Sequence, residues 1–162
     1  MTARMFLTCA MTLALPAAVL AQTSRAPKAG ATKPAASQLV VIPAAEMKWM
    51  DLAGAPGVKV ADLWGNHATG AFGALFKLPA GFAAPLHTHT HAMKVVIVSG
   101  TYIQVPEGKP EFRLGPGSYF FQPGGNYRHT TTCEKDANCV FFVESTGPFD
   151  LKPVGPPAAP AQ

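Results

Sequence analysis

From Gly70 onward the chain is written in short apolar runs separated by glycine and proline. Gly70–Leu78, Lys94–Val98, Thr101–Val105, Tyr119–Phe121, Thr130–Thr132 and Val140–Val143 are rich in β-branched and aromatic residues, the composition of a pleated, half-buried surface. Pro79, Gly81, Gly100, Pro106, Gly108, Gly115, Pro116, Gly117, Pro123, Gly124 and Gly125 punctuate them. No segment sustains a 3.6-residue apolar period over three turns. The pattern predicts an all-β domain of about 115 residues, a sandwich or small barrel with little helix.

The two ends follow different rules. Met1 to Ala21 carries one charged residue, Arg4, then an apolar run broken by Pro16 and closed by Val19-Leu20-Ala21. It reads as a signal peptide, residues 1–21, and places the mature protein in the periplasm or outside the cell. The run is too short for a membrane span, so no membrane association is expected once it is removed. A lipid anchor at Cys9 is the weaker alternative, because Cys9 lies inside the apolar run. Residues 22–37 are rich in Ala, Pro, Lys, Ser and Thr without a large apolar side chain, and read as a flexible leader. The folded domain is expected over 38–152, followed by a Pro-rich disordered tail, 153–162.

Charge narrows the partners. Losing Arg4 with the leader lowers the formal charge from +4 to +3, and Arg25, Lys28 and Lys33 lie in the flexible segment. No Lys/Arg cluster remains to grip phosphates, so nucleic acid is not an expected partner. Glu107, Glu111, Glu134 and Asp136 fall in apparent loops. Cys133 and Cys139 flank a polar five-residue loop between two expected strands. In an oxidising compartment such a pair reads as a disulfide, with a redox or metal-binding dithiol as the alternative.

The chemistry concentrates in Pro85-Leu86-His87-Thr88-His89-Thr90-His91. On an extended strand alternate residues share a face, so His87 and His89, with His91 as a further candidate, would project together. Neutral imidazole is the commonest side-chain ligand for first-row transition metals, and His129 can complete the set once the chain folds back. Two solvated surface histidines are the competing reading. His67, in Trp64-Gly65-Asn66-His67, is expected to be a solvated or capping loop residue.

These residues resemble the cupins, whose first motif is G-x5-H-x-H-x3-E-x6-G. Here Gly81, His87, His89, Met93 and Gly100 stand at its spacing. The second motif, G-x5-P-x-G-x2-H-x3-N, resembles Gly117, Pro123, Gly125, His129 and Cys133, with the histidine one residue late. The resemblance implies a small double-stranded β-helix (cupin/jelly-roll) barrel. It further implies one divalent transition metal, Fe(II), Zn, Ni or Mn, held in the lumen by His87, His89 and His129. Met93 replaces the family's glutamate ligand, leaving no anionic ligand to offset the ion's charge. An anionic or enolisable exogenous ligand is then favoured. His91 is a fourth-ligand or pocket alternative at the turn after the strand. The family analogy also suggests a homodimer.

Tyr102, Gln104, Met93, Phe120 and Gln122 are the expected pocket residues, with Trp64 and Phe141 as further wall candidates. Tyr102 and His91 are the available proton carriers, since the sequence offers no nucleophilic triad or paired carboxylates. Arg128 should face away from the lumen, and Arg113 is placed near its mouth. The functional expectation is a metal-dependent enzyme of oxygenase, isomerase or lyase type acting on a small organic substrate. A non-catalytic module that binds or senses a small molecule or metal is the alternative, and a fold that keeps its histidines without function is the third.

Overall fold

A computed structural model describes residues 38–155. The expected signal peptide and flexible leader, and residues 156–162 of the expected tail, lie outside them. Among the described residues eleven strands run β1 (Met50–Asp51), β2 (Lys59–Gly65), β3 (Phe72–Leu78), β4 (Ala83–Thr88), β5 (Met93–Ser99), β6 (Tyr102–Pro106), β7 (Phe112–Leu114), β8 (Tyr119–Gln122), β9 (His129–Cys133), β10 (Cys139–Ser145) and β11 (Lys152–Pro153). Among the described residues the helical content is one 3-10 turn, Ala44–Glu46, and no helix is long and apolar enough to cross a membrane.

Every pairing is antiparallel. One sheet orders β1-β2-β3-β10-β5-β8 and the other β11-β4-β9-β6-β7. The crossovers between non-consecutive strands are those of a jelly roll, as the motif spacing implied. Period-two alternation decides which side chains fill the interior. On β5, Met93, Val95 and Ile97 are buried while Lys94, Val96 and Val98 face out. Phe72, Ala74, Phe76 and Leu78 of β3 join Phe141 and Val143 of β10 in the same core. The Phe76 and Phe141 rings stack with centroids 5.7 Å apart.

The Cys133–Cys139 pair is disulfide-bonded, Cα atoms 5.8 Å apart, and ties the β9–β10 hairpin. Closing so small a loop in the unfolded chain stabilises by about 2 kcal/mol on the chain-entropy estimate.

Three expectations are corrected. The strand expected to carry His87 and His89 ends at Thr88, before His89, and its pairing with β9 shifts register between Ala84 and His87. Pro85 sits in that interval without an N–H to donate to the ladder, the usual setting for a bulge. Ala84 and His87, an odd number of residues apart, therefore both face inward. His67 is not solvated: it is 9% exposed, with its Nδ1 3.0 Å from both carboxylate oxygens of Asp62. Trp64 is 48% exposed and is not among the residues lining the cavity beside His87 and His89.

The tail also begins later than expected. Pro153 pairs with His87 through β11, and Val154 N–H donates to the Leu86 carbonyl at 2.8 Å. Phe149 N–H donates to the His67 carbonyl at 2.7 Å, anchoring the start of this closing strap.

Candidate metal centre

Three separate segments deliver the imidazoles. β9 opens with His129, which pairs directly with His87 across the β4–β9 ladder. His89 comes from the turn after β4, held from two sides. Gly125 N–H donates to the His89 carbonyl at 2.8 Å, bringing the β8–β9 loop against this turn. Gly124 lies so close that a Cβ there would sit 2.5 Å from the Thr90 carbonyl oxygen. On the other side, Thr90 N–H donates to the Asp150 carboxylate at 2.7 Å, and Lys152 Nζ stands 3.3 Å from the same group.

The ring orientations follow from backbone acceptors. His87 Nδ1–H donates to the Pro85 carbonyl at 2.7 Å, and His89 Nδ1–H donates to the Asp150 carbonyl at 2.5 Å. With both protons committed there, each Nε2 carries a lone pair, and the two Nε2 atoms are 3.1 Å apart. Two lone pairs at that separation repel unless a cation lies between them. Both ring nitrogens of His129 are buried, and neither makes a hydrogen bond of ordinary geometry, the Tyr127 carbonyl being a weak acceptor beside the ring. One ligand atom from each of the three residues lies within 4.8 Å of the others.

The residues fit a metal ion. A spacing of 3.1 Å is that of neighbouring nitrogens on one ion at about 2.1 Å. Backbone acceptors fixing the ligand tautomer are the usual outer support of such sites. Protons are poor substitutes here. Burial, reinforced by the neighbouring imidazoles, pushes His129 down to about 3. Burial and His87 push His89 down to about 4, and burial also lowers His87. The trio is therefore neutral near pH 7, the protonation state a metal requires.

His87 and His89 line an apolar cavity. Phe76, Phe82, Val95, Phe141 and Phe149 form much of its wall, and Met93, Tyr102 and Gln122 also face it. Of the other expected pocket residues, Gln104 is buried behind this lining and Phe120 packs on the Tyr102 ring, centroids 5.5 Å apart. Burial pushes the Tyr102 hydroxyl up to about 12, so it stays protonated. His91 is not in the trio: its ring lies against Gly147, where a Cβ would come within 2.4 Å of it. Arg113 pairs with Glu134 and Arg128 with Glu107, both on the exterior.

Sequence reasoning missed the two carbonyls that orient the rings. Pro85 carried a signal, since proline inside a strand pattern marks a bulge. Asp150 acts on His89 through its backbone, which leaves no trace in side-chain chemistry.

No curated protein matches the chain. A family model described as a domain of unknown function (DUF4437) matches residues 17–152. The chain belongs to that family, and its fold is a cupin. The cupin barrel resembles that of the polyketide cyclase RemF from Streptomyces resistomycificus at 18% identity, with a TM-score of 0.64 over 76% of this chain and 90% of that one. An RmlC-like cupin from Shewanella frigidimarina matches at 21% identity, with a TM-score of 0.51 over 65% of this chain and 86% of that one. The DMSP lyase DddQ from Ruegeria pomeroyi matches at 25% identity, with a TM-score of 0.52 over 64% of this chain and 57% of that one. Cupins similar in fold to this one thus include enzymes.

Proposed function

We propose that this cupin is an exported enzyme that uses one divalent transition metal, held by His87, His89 and His129, to act on a small organic substrate. The observation that carries the reading is the pair of facing Nε2 lone pairs 3.1 Å apart, beside an imidazole whose nitrogens make no hydrogen bond of ordinary geometry. Such an arrangement is costly unless a cation is bound. When bound, the ion supplies Lewis acidity and a template for substrate. The chain's residues supply the rest. Pro85 and Asp150 carbonyls hold two rings in place, the phenylalanine wall keeps water away, and Tyr102 adds its ring to that wall while its protonated hydroxyl is held by Thr131 and Gln104. Relatives of the fold named as a cyclase and a lyase support small organic substrates as the class. The leader sequence supports export.

Metal analysis of the protein as isolated, without added metal, tests the site. One ion per chain is expected, lost in His87→Ala and His129→Ala. Unchanged metal content in those variants overturns the assignment. Oxygen uptake with Fe(II) and a panel of diketones and phenolics then tests the oxygenase form of the chemistry.

A binding module is the second reading. It is favoured by the cavity lining, in which no carboxylate, lysine or arginine is available to move a proton. Metal and ligand binding without turnover across oxygenase, isomerase and lyase assays would select it.

A further inference from the structure

Behind the cavity wall runs a chain of buried polar groups that ends at the cavity. Tyr102 OH is 3.0 Å from Thr131 Oγ1 and 3.3 Å from Gln104 Oε1, and Gln104 Nε2 donates to Gln122 Oε1 at 3.2 Å. The last member, Gln122 Nε2, has no partner, although the residue is 2% exposed and faces the cavity. Gln122 pairs across β5 and β8 with Met93, which lines the same cavity as His87 and His89.

The hydroxyl protons fix the direction of this chain. Tyr102 and Thr131 each own one proton; one is shared between the two oxygens, and the other requires Gln104 Oε1. Reversing the Gln104 amide would leave one hydroxyl proton without an acceptor in the cluster. With Gln104 Oε1 committed to the hydroxyls, its Nε2 must donate to Gln122 Oε1, and the free end is an N–H donor. An orphaned buried donor is rare and costs about 1–3 kcal/mol, so an acceptor is the missing partner.

We propose that Gln122 selects the ligand: its Nε2–H donates to an oxygen of a small organic anion, carboxylate or enolate, whose apolar body fills the phenylalanine-walled cavity. The inference rests on the metal reading above, because a dication held by three neutral imidazoles leaves its positive charge for an exogenous anion to balance. It goes further in assigning the ligand a second contact, from a residue that is not a metal ligand. The role is orientation and discrimination. Amines and other ligands lacking an acceptor oxygen leave Nε2 unpaired and gain nothing from Gln122.

The test uses the full chain loaded with Co(II), whose visible absorption reports ligand binding. The probes are acetylacetone for an enolate, benzoate for a carboxylate, and imidazole as a nitrogen ligand without an acceptor oxygen. In Gln122→Met, cobalt stoichiometry and imidazole affinity should match the wild type, while the affinity for the anion the wild type binds should fall about 10- to 100-fold. Tighter wild-type binding of acetylacetone than benzoate identifies the enolate class, and the reverse identifies the carboxylate class. Cobalt bound with anion affinity within about two-fold of wild type overturns the role of Gln122 and leaves the metal reading standing. Failure of the wild type to bind cobalt overturns both. Should Gln122→Met not fold, the wild type loaded with Zn(II) decides: the Gln122 side-chain amide proton resonances should move downfield with the anion and stay in place with imidazole. Unmoved resonances at saturating anion overturn the proposal.

Discussion

Replacing His129 by leucine should move stability in opposite directions with and without metal. In the metal-free protein the buried ring holds one N–H donor, met only weakly by the Tyr127 carbonyl, and one lone pair without a partner. An orphaned group costs on the order of 1–3 kcal/mol, so removing this pair relieves about 2 kcal/mol. A leucine of different shape in the same space gives back up to about 1.5 kcal/mol in imperfect packing. The net expectation for His129→Leu in EDTA is a gain of about 1 kcal/mol, a rise in Tm of about 3–5 °C for a domain of this size. With Zn(II) at a hundred times its Kd, the wild type gains about 2.7 kcal/mol by mass action and the variant gains nothing. The order of the two melting temperatures should therefore reverse between chelator and metal, measured by thermal unfolding followed by circular dichroism. A variant that is less stable than the wild type in EDTA by 2 kcal/mol or more, roughly the cost of an ordinary truncated core contact, would refute the reasoning. Such a result means that the nitrogens of His129 are already satisfied and the trio is not built around a missing cation.

Acidification provides a second prediction. The three imidazoles accept protons near 6.5 once unfolded, whereas in the fold His89 stays neutral to about 4 and His129 to about 3. Unfolding between those limits takes up protons, so the metal-free protein is at full stability above pH 6.5 and loses it as pH falls toward 4. Each imidazole contributes at most about 1.4 kcal/mol per pH unit. Denaturant midpoints in EDTA at pH 7, 6 and 5 should fall in that order, and more shallowly in His129→Leu; a flat profile contradicts the burial of the trio. The third prediction concerns Gly124→Ala. The added Cβ meets backbone atoms, 2.5 Å from Thr90 O and 2.8 Å from Ala92 N, so the β8–β9 loop must separate from the turn that carries His89. A cost of about 1–3 kcal/mol and weaker metal uptake are expected. Gly147→Ala meets only the movable His91 ring and should cost less. Wild-type metal affinity in Gly124→Ala would show that this contact does not hold His89 in place.

Much of this protein was legible before folding. The runs Gly70–Leu78, Lys94–Val98 and Thr101–Val105 became β3, β5 and β6, because alternation between two faces is a local property of an extended chain. The short strands β1, β7 and β11 were not legible: two or three residues carry no period, and their pairing is set by neighbours distant in sequence.

The site divides the same way. His87, His89 and His129 were marked by residue type and by spacing against glycine and proline, which are chemical and local facts. That His87 faces the lumen was decided by the bulge at Pro85, without which alternation from Ala84 would have turned it out. The ring orientations were decided by the Asp150 carbonyl, 61 residues from His89, and by the carbonyl of Pro85. The orphaned Nε2 of Gln122 likewise exists only where strands from both sheets converge, β8 from one and β6 from the other. The sequence by itself determined which donors this protein owns. Only the tertiary structure decided where their protons go and which lone pairs are left facing one another, because hydrogen-bond partners are assigned by proximity in space.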